Sequence, residues 1–269
     1  MSKIIDIVVK DIRFPTSLDN LGSDSVHVDC DYSAAYVEIF SNDKDLKGIG
    51  LTFTIGKGND LCVACIEHFK PLFINKNIAE IEKNINNLWR SCTNHSQLRW
   101  IGPEKGVIQL SVAALFNGLW DLISKYHRKP LWKYIVDLNT EDLLNKLSFT
   151  YIDDVITKEE AFNIIEGKKN NIQIATQSII KNGFPCYTTA AGWLGYSDEK
   201  MINLTKKYLS EGWTHFKMKV GQDIDRDIHR CKLVREIIGK DNLLMIDANQ
   251  AWSVKESIEN INKLKEFDL

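Results

Sequence analysis

The chain has 269 residues, and 34 Lys and Arg against 36 Asp and Glu leave a formal net charge of −2 at pH 7. This balance argues against a nucleic-acid partner, and the absence of an unbroken apolar run of about 18 residues argues against a membrane span. The composition, 44% hydrophobic and 26% charged, is that of a soluble protein with room for two domains. Because the start resembles neither a signal peptide nor a transit peptide, we expect a cytoplasmic protein.

The first half of the chain predicts an antiparallel sheet followed by helices. Strand patterns lie over 4–14, 31–40 and 48–56. Between the first two strands runs a polar loop, PTSLDNLGSDSVHVDC, whose length of about sixteen residues exceeds what a connection needs and is typical of a lid. Helical patterns follow over 59–73, 77–91, 107–126 and 131–138. The segment 107–126 is apolar on nearly all sides, so we expect a buried helix there. Together these elements predict an α+β capping domain over residues 1–148.

Two cysteines, Cys62 and Cys65, have the C-x-x-C spacing of redox and zinc motifs. Such a motif requires a βαβ context or a second cysteine pair, and the surrounding residues show an amphipathic helix instead. Both cysteines fall on the apolar stripe of that helix, with Ile66 and Phe69. We therefore predict that they are small buried core residues.

After Phe149 the pattern changes to strands alternating with helices, with a repeat of about thirty residues. Strand patterns lie over 186–193, 214–220 and 242–250. Helical patterns begin after Ser197, near residue 223, and after Ser253, which forms a capping-box pattern with Glu256. In the last helix we expect the apolar residues to face inward, namely Ile258, Ile261, Leu264 and Phe267. This rhythm predicts three parallel βα units over residues 149–269, with ligands gathered at the C-terminal ends of the strands.

Two lysines share one face at the end of the middle strand, THFKMKV. Residues two apart on a strand point to the same side, so Lys217 and Lys219 lie together while Met218 faces the apolar side. The alternative is a pair of surface lysines at a strand edge. Parallel strands are normally covered on both faces, however, so this pair requires a reason. Like charges lower each other's pKa, which predicts one lysine acting as a general base and the other as an anion clamp.

Two polar residues end the next strand, in MIDANQ. Asp247 and Asn249 point to one face, and a carboxylate there suits Mg²⁺, which takes one or two carboxylates together with waters or substrate oxygens. The alternative is that Asp247 only caps a helix or a turn. A base, a cation and a metal at neighbouring strand ends together fit proton abstraction α to a carboxylate, with stabilisation of the resulting enediolate.

Longer motifs add a family resemblance to this chemistry. The segments LRWIGPEKGV and WLGYSDE, with K-x-K in FKMKVG and D-x-N in MIDANQ, resemble the enolase superfamily, in its mandelate racemase branch and its L-fuconate dehydratase group. The resemblance covers essentially the whole chain. It implies that residues 149–269 are the first three βα units of an enolase-type TIM barrel, which in full needs about 250 residues. We therefore expect this sequence to be the first part of a longer enzyme.

The same resemblance implies residue roles. Lys219 would remove the proton at C2 of a sugar acid, Lys217 would contact the substrate carboxylate, Asp247 would bind Mg²⁺ and Asn249 the substrate. Substrate contacts are also implied for residues in and just after the lid loop, namely Gly22, Ser23, Asp24 and Tyr32.

The implied reaction is loss of water from L-fuconate to give a 2-keto-3-deoxy acid. Alternatives are a racemase or epimerase that uses the same enediolate, and an inactive short form that acts by binding a partner. The resemblance also leaves open a mitochondrial location and a homo-oligomer of the full-length form. The substrate would be a small molecule, with neither nucleic acid nor membrane as a partner.

Overall fold

The computed structural model of the protein describes residues 2–269, which form two compact units. One unit contains the residues up to Arg13 together with 33–183, and the other contains 14–32 and 184–269. The sequence predicted a boundary between 148 and 149, so two segments belong elsewhere than expected. The segment 149–183 joins the first unit because it forms helices that contact that unit, and the loop 14–32 joins the second because it hydrogen-bonds to residues there.

The first unit contains the predicted antiparallel sheet, in the order β1-β2-β3. Its strands are β1 (Ile4–Arg13), β2 (Ser33–Ser41) and β3 (Lys47–Thr54). Every second residue of β2 is buried, which is the alternation of a sheet with one face on a core. This part of the prediction is confirmed, with every strand end within two residues of its predicted position.

Helices follow the sheet in this unit. They are α1 (Asn59–Phe69), α2 (Ile78–Lys83), α3 (Ile85–Thr93), α4 (Val107–Tyr126), α5 (Leu131–Val136), α6 (Thr140–Asn145), α7 (Lys158–Lys169) and α8 (Ile172–Asn182). Two of them, α1 and α4, pack against the strands of the sheet. The single helix expected over 77–91 is in fact two, interrupted at Asn84. The last two helices were not predicted, and their apolar residues are largely exposed.

Helix α4 is the central element of the first core. By length and composition alone it could cross a membrane, yet most of it is buried, and it packs against β3. It was predicted to be a buried helix, and most of its residues are buried. Cys62 and Cys65 on α1 are buried in the same core as free thiols, and burial raises the pKa of both. The interpretation of these cysteines as core residues is therefore confirmed.

The second unit contains a parallel pair of strands with helices. Its elements are α9 (Asp198–Ser210), β4 (His215–Lys219), α10 (Ile224–Ile238), β5 (Leu243–Asp247) and α11 (Val254–Leu264). Ser197 caps α9, and Ser253 and Glu256 form the predicted capping box of α11. In the register of the two strands, Lys219 lies directly opposite Asp247. The parallel arrangement thus brings the two predicted polar strand ends side by side.

Two predictions for the second unit are wrong. The segment 186–193 is not a regular strand, because only Thr188 forms a bridge, to Phe216, before the chain turns away. The described residues therefore form two strands of the expected three, and the partial barrel remains a prediction. On α11, Ile258 and Ile261 were expected to face inward but are 60% and 50% exposed, whereas Leu264 is buried.

Candidate active site at the ends of two parallel strands

The two strand ends form one hydrogen-bonded cluster. The Nζ of Lys219 donates to Oδ2 of Asp247 at 2.8 Å and to Oδ1 of Asn249 at 2.6 Å. The Nζ of Lys217 donates to the same Asp247 oxygen at 3.1 Å and to the hydroxyl of Tyr187, also at 3.1 Å. The structure thus brings together all of the strand-end residues that the sequence singled out, and it adds Tyr187.

The Asp247 carboxylate is held ionised by its neighbours. Partial burial raises its pKa, but the hydrogen bonds from Lys219, from the Asn249 amide and from Lys217 outweigh this effect and lower the pKa to about 2. An ionised carboxylate with part of its surface still exposed suits a hard cation. The arrangement therefore fits the predicted metal role better than that of a simple turn residue.

The expected mutual lowering of the lysine pKa values is wrong for Lys217. Burial lowers its pKa, but the hydrogen bonds to Tyr187 and Asp247 outweigh burial and raise the pKa above its ordinary value. The sequence argument counted the two like charges and did not include the carboxylate between them. Lys217 is therefore a stable cation in this structure, which is the property that an anion clamp requires.

The backbone after β5 has an unusual conformation that places Asn249. Asn249 and Gln250 both have left-handed φ angles, of 49° and 58°. Consecutive non-glycine residues in this region are strained, and such strain is found mostly where function requires a particular geometry. Here it turns the Asn249 side chain back to Lys219, while the Asn249 amide donates to Oδ1 of Asp247 at 3.0 Å.

The segment before α9 forms one wall of the cluster. The Lys219 ammonium lies 5.7 Å from the ring centroid of Trp193, within the range of a cation–π contact. The neighbouring Gly192 accepts the Lys219 amide at 2.9 Å. A Cβ at position 192 would lie 2.2 Å from the carbonyl oxygen of Lys217, so only glycine allows this close approach.

The loop 14–32 lies on the same unit, but its predicted contact residues do not reach the lysines. The Ser23 hydroxyl accepts the Gly195 amide at 2.9 Å and donates to the Asn20 carbonyl, and the buried Asp24 accepts the amides of Val26 and His27. Within residues 2–269, neither Ser23 nor Asp24 forms a hydrogen bond or an ion pair with the lysine pair. Their role as substrate contacts stays a prediction.

Tyr32 and Gly22 lie closer to the wall of the cluster. The Tyr32 ring packs edge-on against Trp193, with 6.3 Å between centroids, and burial raises the pKa of Tyr32 to about 12. Gly22 has a φ angle of 86°, and a Cβ there would lie 2.3 Å from the Tyr32 ring. Trp193 thus connects the neutral phenol of Tyr32 with the Lys219 ammonium, and Gly22 makes room for that phenol.

One residue of the loop contacts the strand end directly, although the sequence analysis did not single it out. The Ser25 hydroxyl donates to the carbonyl of Ala248 at 2.6 Å, between Asp247 and Asn249. The two residues are 223 positions apart, so no local pattern indicates this contact. Tyr187, by contrast, lies thirty residues before Lys217, and its place in the repeat was a usable signal.

The fit of a metal at this site depends on Asp247. Mg²⁺ is commonly held by one or two carboxylates together with substrate oxygens and waters. Asp247 supplies one ionised carboxylate, and the Asn249 amide oxygen lies beside it. No group of three or more His, Cys, Asp or Glu side chains that could enclose a metal lies in the described part of the chain. These residues fit one edge of a magnesium site.

Buried charges from α10 hold the backbone at the end of β4. Arg230 is fully buried and donates to the carbonyls of Lys219, Gly192 and Trp193 at 2.7, 3.1 and 2.9 Å. Asp227, which is 1% exposed, accepts the Gly221 amide at 2.8 Å. Both side chains therefore bond to the backbone next to the candidate base.

We expect Asp227→Asn to stabilise the protein at neutral pH. Burial raises the pKa of Asp227 to about 6, from 3.8 for the free group. The folded state binds this proton more tightly than the unfolded state, so the favourable contribution is complete below pH 3.8 and is lost as the pH rises through about 6. The ionised carboxylate then costs up to about 3 kcal/mol. Asparagine keeps an oxygen for the Gly221 amide without the charge.

The measurement is the urea midpoint of wild type and Asp227→Asn at pH 5 and pH 7.5, followed by circular dichroism. The variant should gain stability over wild type as the pH rises. A constant difference between the two proteins across this range would show that Asp227 does not titrate there.

The part of the chain that contains the candidate site matches a known protein family. Residues 200–269 match the model of the family described as enolase C-terminal domain-like. Over 98% of the chain, it is 46% identical to mitochondrial enolase superfamily member 1 of Xenopus laevis, and over 96% it is 44% identical to L-galactonate dehydratase of Hypocrea jecorina. It spans 60% and 58% of the lengths of these two relatives.

Solved structures agree with the fold. The crystal structure of human mitochondrial enolase superfamily member 1 superposes with a TM-score of 0.95 at 42% identity, covering 99% of this chain and 61% of that one. L-talarate/galactarate dehydratase of Salmonella typhimurium, liganded with Mg and L-lyxarohydroxamate, superposes with a TM-score of 0.71 at 19% identity, covering 100% and 57%. The second likeness shows a shared fold.

Proposed function

Since the chain belongs to the enolase superfamily, we propose that the protein to which it belongs is a Mg²⁺-dependent sugar-acid dehydratase. One observation carries the proposal. The Lys219 ammonium lies 2.8 Å from Asp247 and 2.6 Å from Asn249, with Lys217 on the same carboxylate. A base, a cation and a metal ligand thus meet at neighbouring strand ends. The relative that is an L-galactonate dehydratase supports dehydration as the reaction.

In this proposal Lys219 takes the proton from C2 of the acid. It is almost fully buried, so water competes little for the proton-accepting nitrogen. Lys217, kept cationic by Tyr187 and Asp247, contacts the substrate carboxylate, and Asn249 donates to a substrate oxygen. The electrons of the broken C2–H bond form an enediolate. The C3 hydroxyl then leaves as water, taking a proton from a general acid of the full-length enzyme, and the resulting enol becomes a 2-keto-3-deoxy acid.

Asp247 would hold the Mg²⁺, whose positive charge favours the enediolate over the starting carboxylate. The lysine hydrogen bonds keep this carboxylate ionised, so no proton has to leave before the metal binds. Tyr32, whose ring packs edge-on against Trp193, would contact a distal substrate hydroxyl.

For the substrate, we propose L-fuconate or a close relative such as L-galactonate. The test incubates the full-length protein and Mg²⁺ with a library of acid sugars that contains both compounds. Formation of a 2-keto-3-deoxy acid is detected by its semicarbazone. We expect turnover of at least one six-carbon acid. The dehydratase proposal fails if no member of the library yields a keto acid, and the L-fuconate assignment fails if another acid is strongly preferred.

For location, the name of the amphibian and human relatives supports the mitochondrial alternative over the cytoplasmic one. Fractionation of cells that produce the native protein tests this proposal. Recovery in the cytosolic fraction alone would contradict it.

A further inference from the structure

We infer that Arg230 is a positioning residue that fixes Lys219 in its proton-abstracting geometry, with Asp227 as its partner on the other side of Val220. The inference rests on the proposed function, because it assigns to α10 a role in the same reaction. Neither side chain bonds to the side chains of the hydrogen-bonded cluster. Both act through the backbone of the segment that carries the base.

Within residues 2–269, the backbone at Lys219 pairs with a regular strand, β5, on one side only. On its other side it bonds to Gly192 and to Arg230 of α10. The amide of Lys219 is bound by the Gly192 carbonyl at 2.9 Å, and its carbonyl accepts from Nη1 of Arg230 at 2.7 Å. Two residues on, the Gly221 amide donates to Asp227 at 2.8 Å. The two side chains of α10 thus satisfy the Lys219 carbonyl and the Gly221 amide, at the position where the chain leaves β4.

The same guanidinium also fixes the wall of the site. Its Nη2 donates to the carbonyls of Gly192 and Trp193 at 3.1 and 2.9 Å. One planar group therefore sets the distance between the Lys219 backbone and the Trp193 ring that lies 5.7 Å from the ammonium. A lysine at position 230 cannot reproduce this fork, because its ammonium is a point donor on a flexible chain.

Stability alone does not explain these buried charges. Arg230 is 0% exposed and its Nε has no hydrogen-bond partner, and Oδ1 of Asp227 also lacks one. Burial lowers the pKa of Arg230 and raises that of Asp227, so both charged forms are disfavoured where they lie. Buried charges with unsatisfied atoms are weak contributors to stability, and well-packed apolar side chains often serve as well or better. Because both side chains bond to the backbone beside Lys219, positioning of that lysine explains why they are buried there.

The test compares Arg230→Lys with Arg235→Lys in the full-length enzyme. Arg235 lies on the same helix and also donates only to backbone carbonyls, those of Phe267, Gly239, Asn242 and Asp268. None of these carbonyls belongs to the candidate site, so Arg235→Lys controls for the loss of a guanidinium fork from α10. Each variant is assayed for kcat and KM, with the folded fraction measured by circular dichroism.

We expect Arg230→Lys to lower kcat per folded molecule about 10- to 100-fold, as a small misplacement of a catalytic group does, while Arg235→Lys stays near wild type. The isotope effect on kcat with C2-deuterated substrate should be at least as large as in wild type, because proton removal is the step that is slowed. A merely structural role would lower the folded fraction and leave kcat per folded molecule unchanged. That result, or a smaller isotope effect, would overturn the inference.

Asp227 provides a second pair of variants, which decides the question if Arg230→Lys does not fold. Asp227→Ala removes the acceptor of the Gly221 amide and should lower kcat per folded molecule, and Asp227→Asn should recover most of that loss. Equal kcat in both would contradict the inference. Wild type and Lys219→Ala in the same assay distinguish failure of the proposed function from failure of the positioning role. An inactive wild type would refute the proposed function. An active wild type with an unaffected Arg230→Lys would refute only the positioning role.

Discussion

Lys219→Ala should abolish turnover of the sugar acid. Lys219 is the residue proposed to take the C2 proton, and its loss would also leave Asp247 and Asn249 without their shared donor. Removal of a general base typically costs about 10²–10⁴-fold in rate. The measurement is kcat of the full-length protein with Mg²⁺ and the best substrate from the library.

Met218→Leu is the matched control for this change. Met218 lies next to Lys219 on the same strand, but it is 1% exposed and packs in the core of the unit. Leucine conserves its volume, so the substitution should cost under about 1.5 kcal/mol of stability and little activity. If Lys219→Ala kept a near-normal kcat while Met218→Leu lost it, the lysines would not be the catalytic face of the strand.

Lys217→Ala should weaken substrate binding more than it slows the chemical step. Lys217 is the cation proposed to meet the substrate carboxylate, and truncating one partner of a buried charge pair costs about 2–5 kcal/mol. This corresponds to a rise of about 30-fold or more in the dissociation constant, since each 1.4 kcal/mol is a factor of about ten. The measurement is KM together with the affinity for an unreactive substrate analogue.

Tyr187→Phe provides the graded comparison for Lys217. Phenylalanine keeps the ring that lies 4.7 Å from the Lys217 ammonium and removes only the hydroxyl that accepts its hydrogen bond. We therefore expect a smaller change in KM than for Lys217→Ala. An unchanged KM in Lys217→Ala, with a loss in kcat alone, would assign Lys217 to the chemical step and contradict the clamp role.

The strand ends could be predicted from the sequence because their geometry follows from two local rules. Residues two apart share a face, and parallel strands end at the same edge, so Lys219 and Asp247 had to meet once the strands were recognised. Their 28-residue separation is one βα repeat. The capping box of α11 and the burial of α4 could be predicted for the same reason, because both depend on short-range sequence patterns.

Other features depend on contacts that no local pattern records. The segment 186–193 has strand composition, but the close approach of Gly192 to the Lys217 carbonyl replaces a ladder with single hydrogen bonds. The Ser25 contact to Ala248 spans most of the chain. From the sequence, Arg230 is an ordinary polar residue of an amphipathic helix, and only the structure shows that it is buried. The raised pKa of Lys217 likewise required knowing that Asp247 lies beside it.

The most direct test of the proposed reaction is a nuclear magnetic resonance measurement of the full-length protein with Mg²⁺ and its sugar acid in D₂O. Proton removal at C2 followed by loss of the C3 hydroxyl yields an enol that takes its new hydrogen from solvent at C3. We therefore predict a 2-keto-3-deoxy acid that carries one deuterium at C3. Deuterium only at C2 of the recovered acid, with no keto acid formed, would show an epimerase or racemase and contradict the dehydratase account.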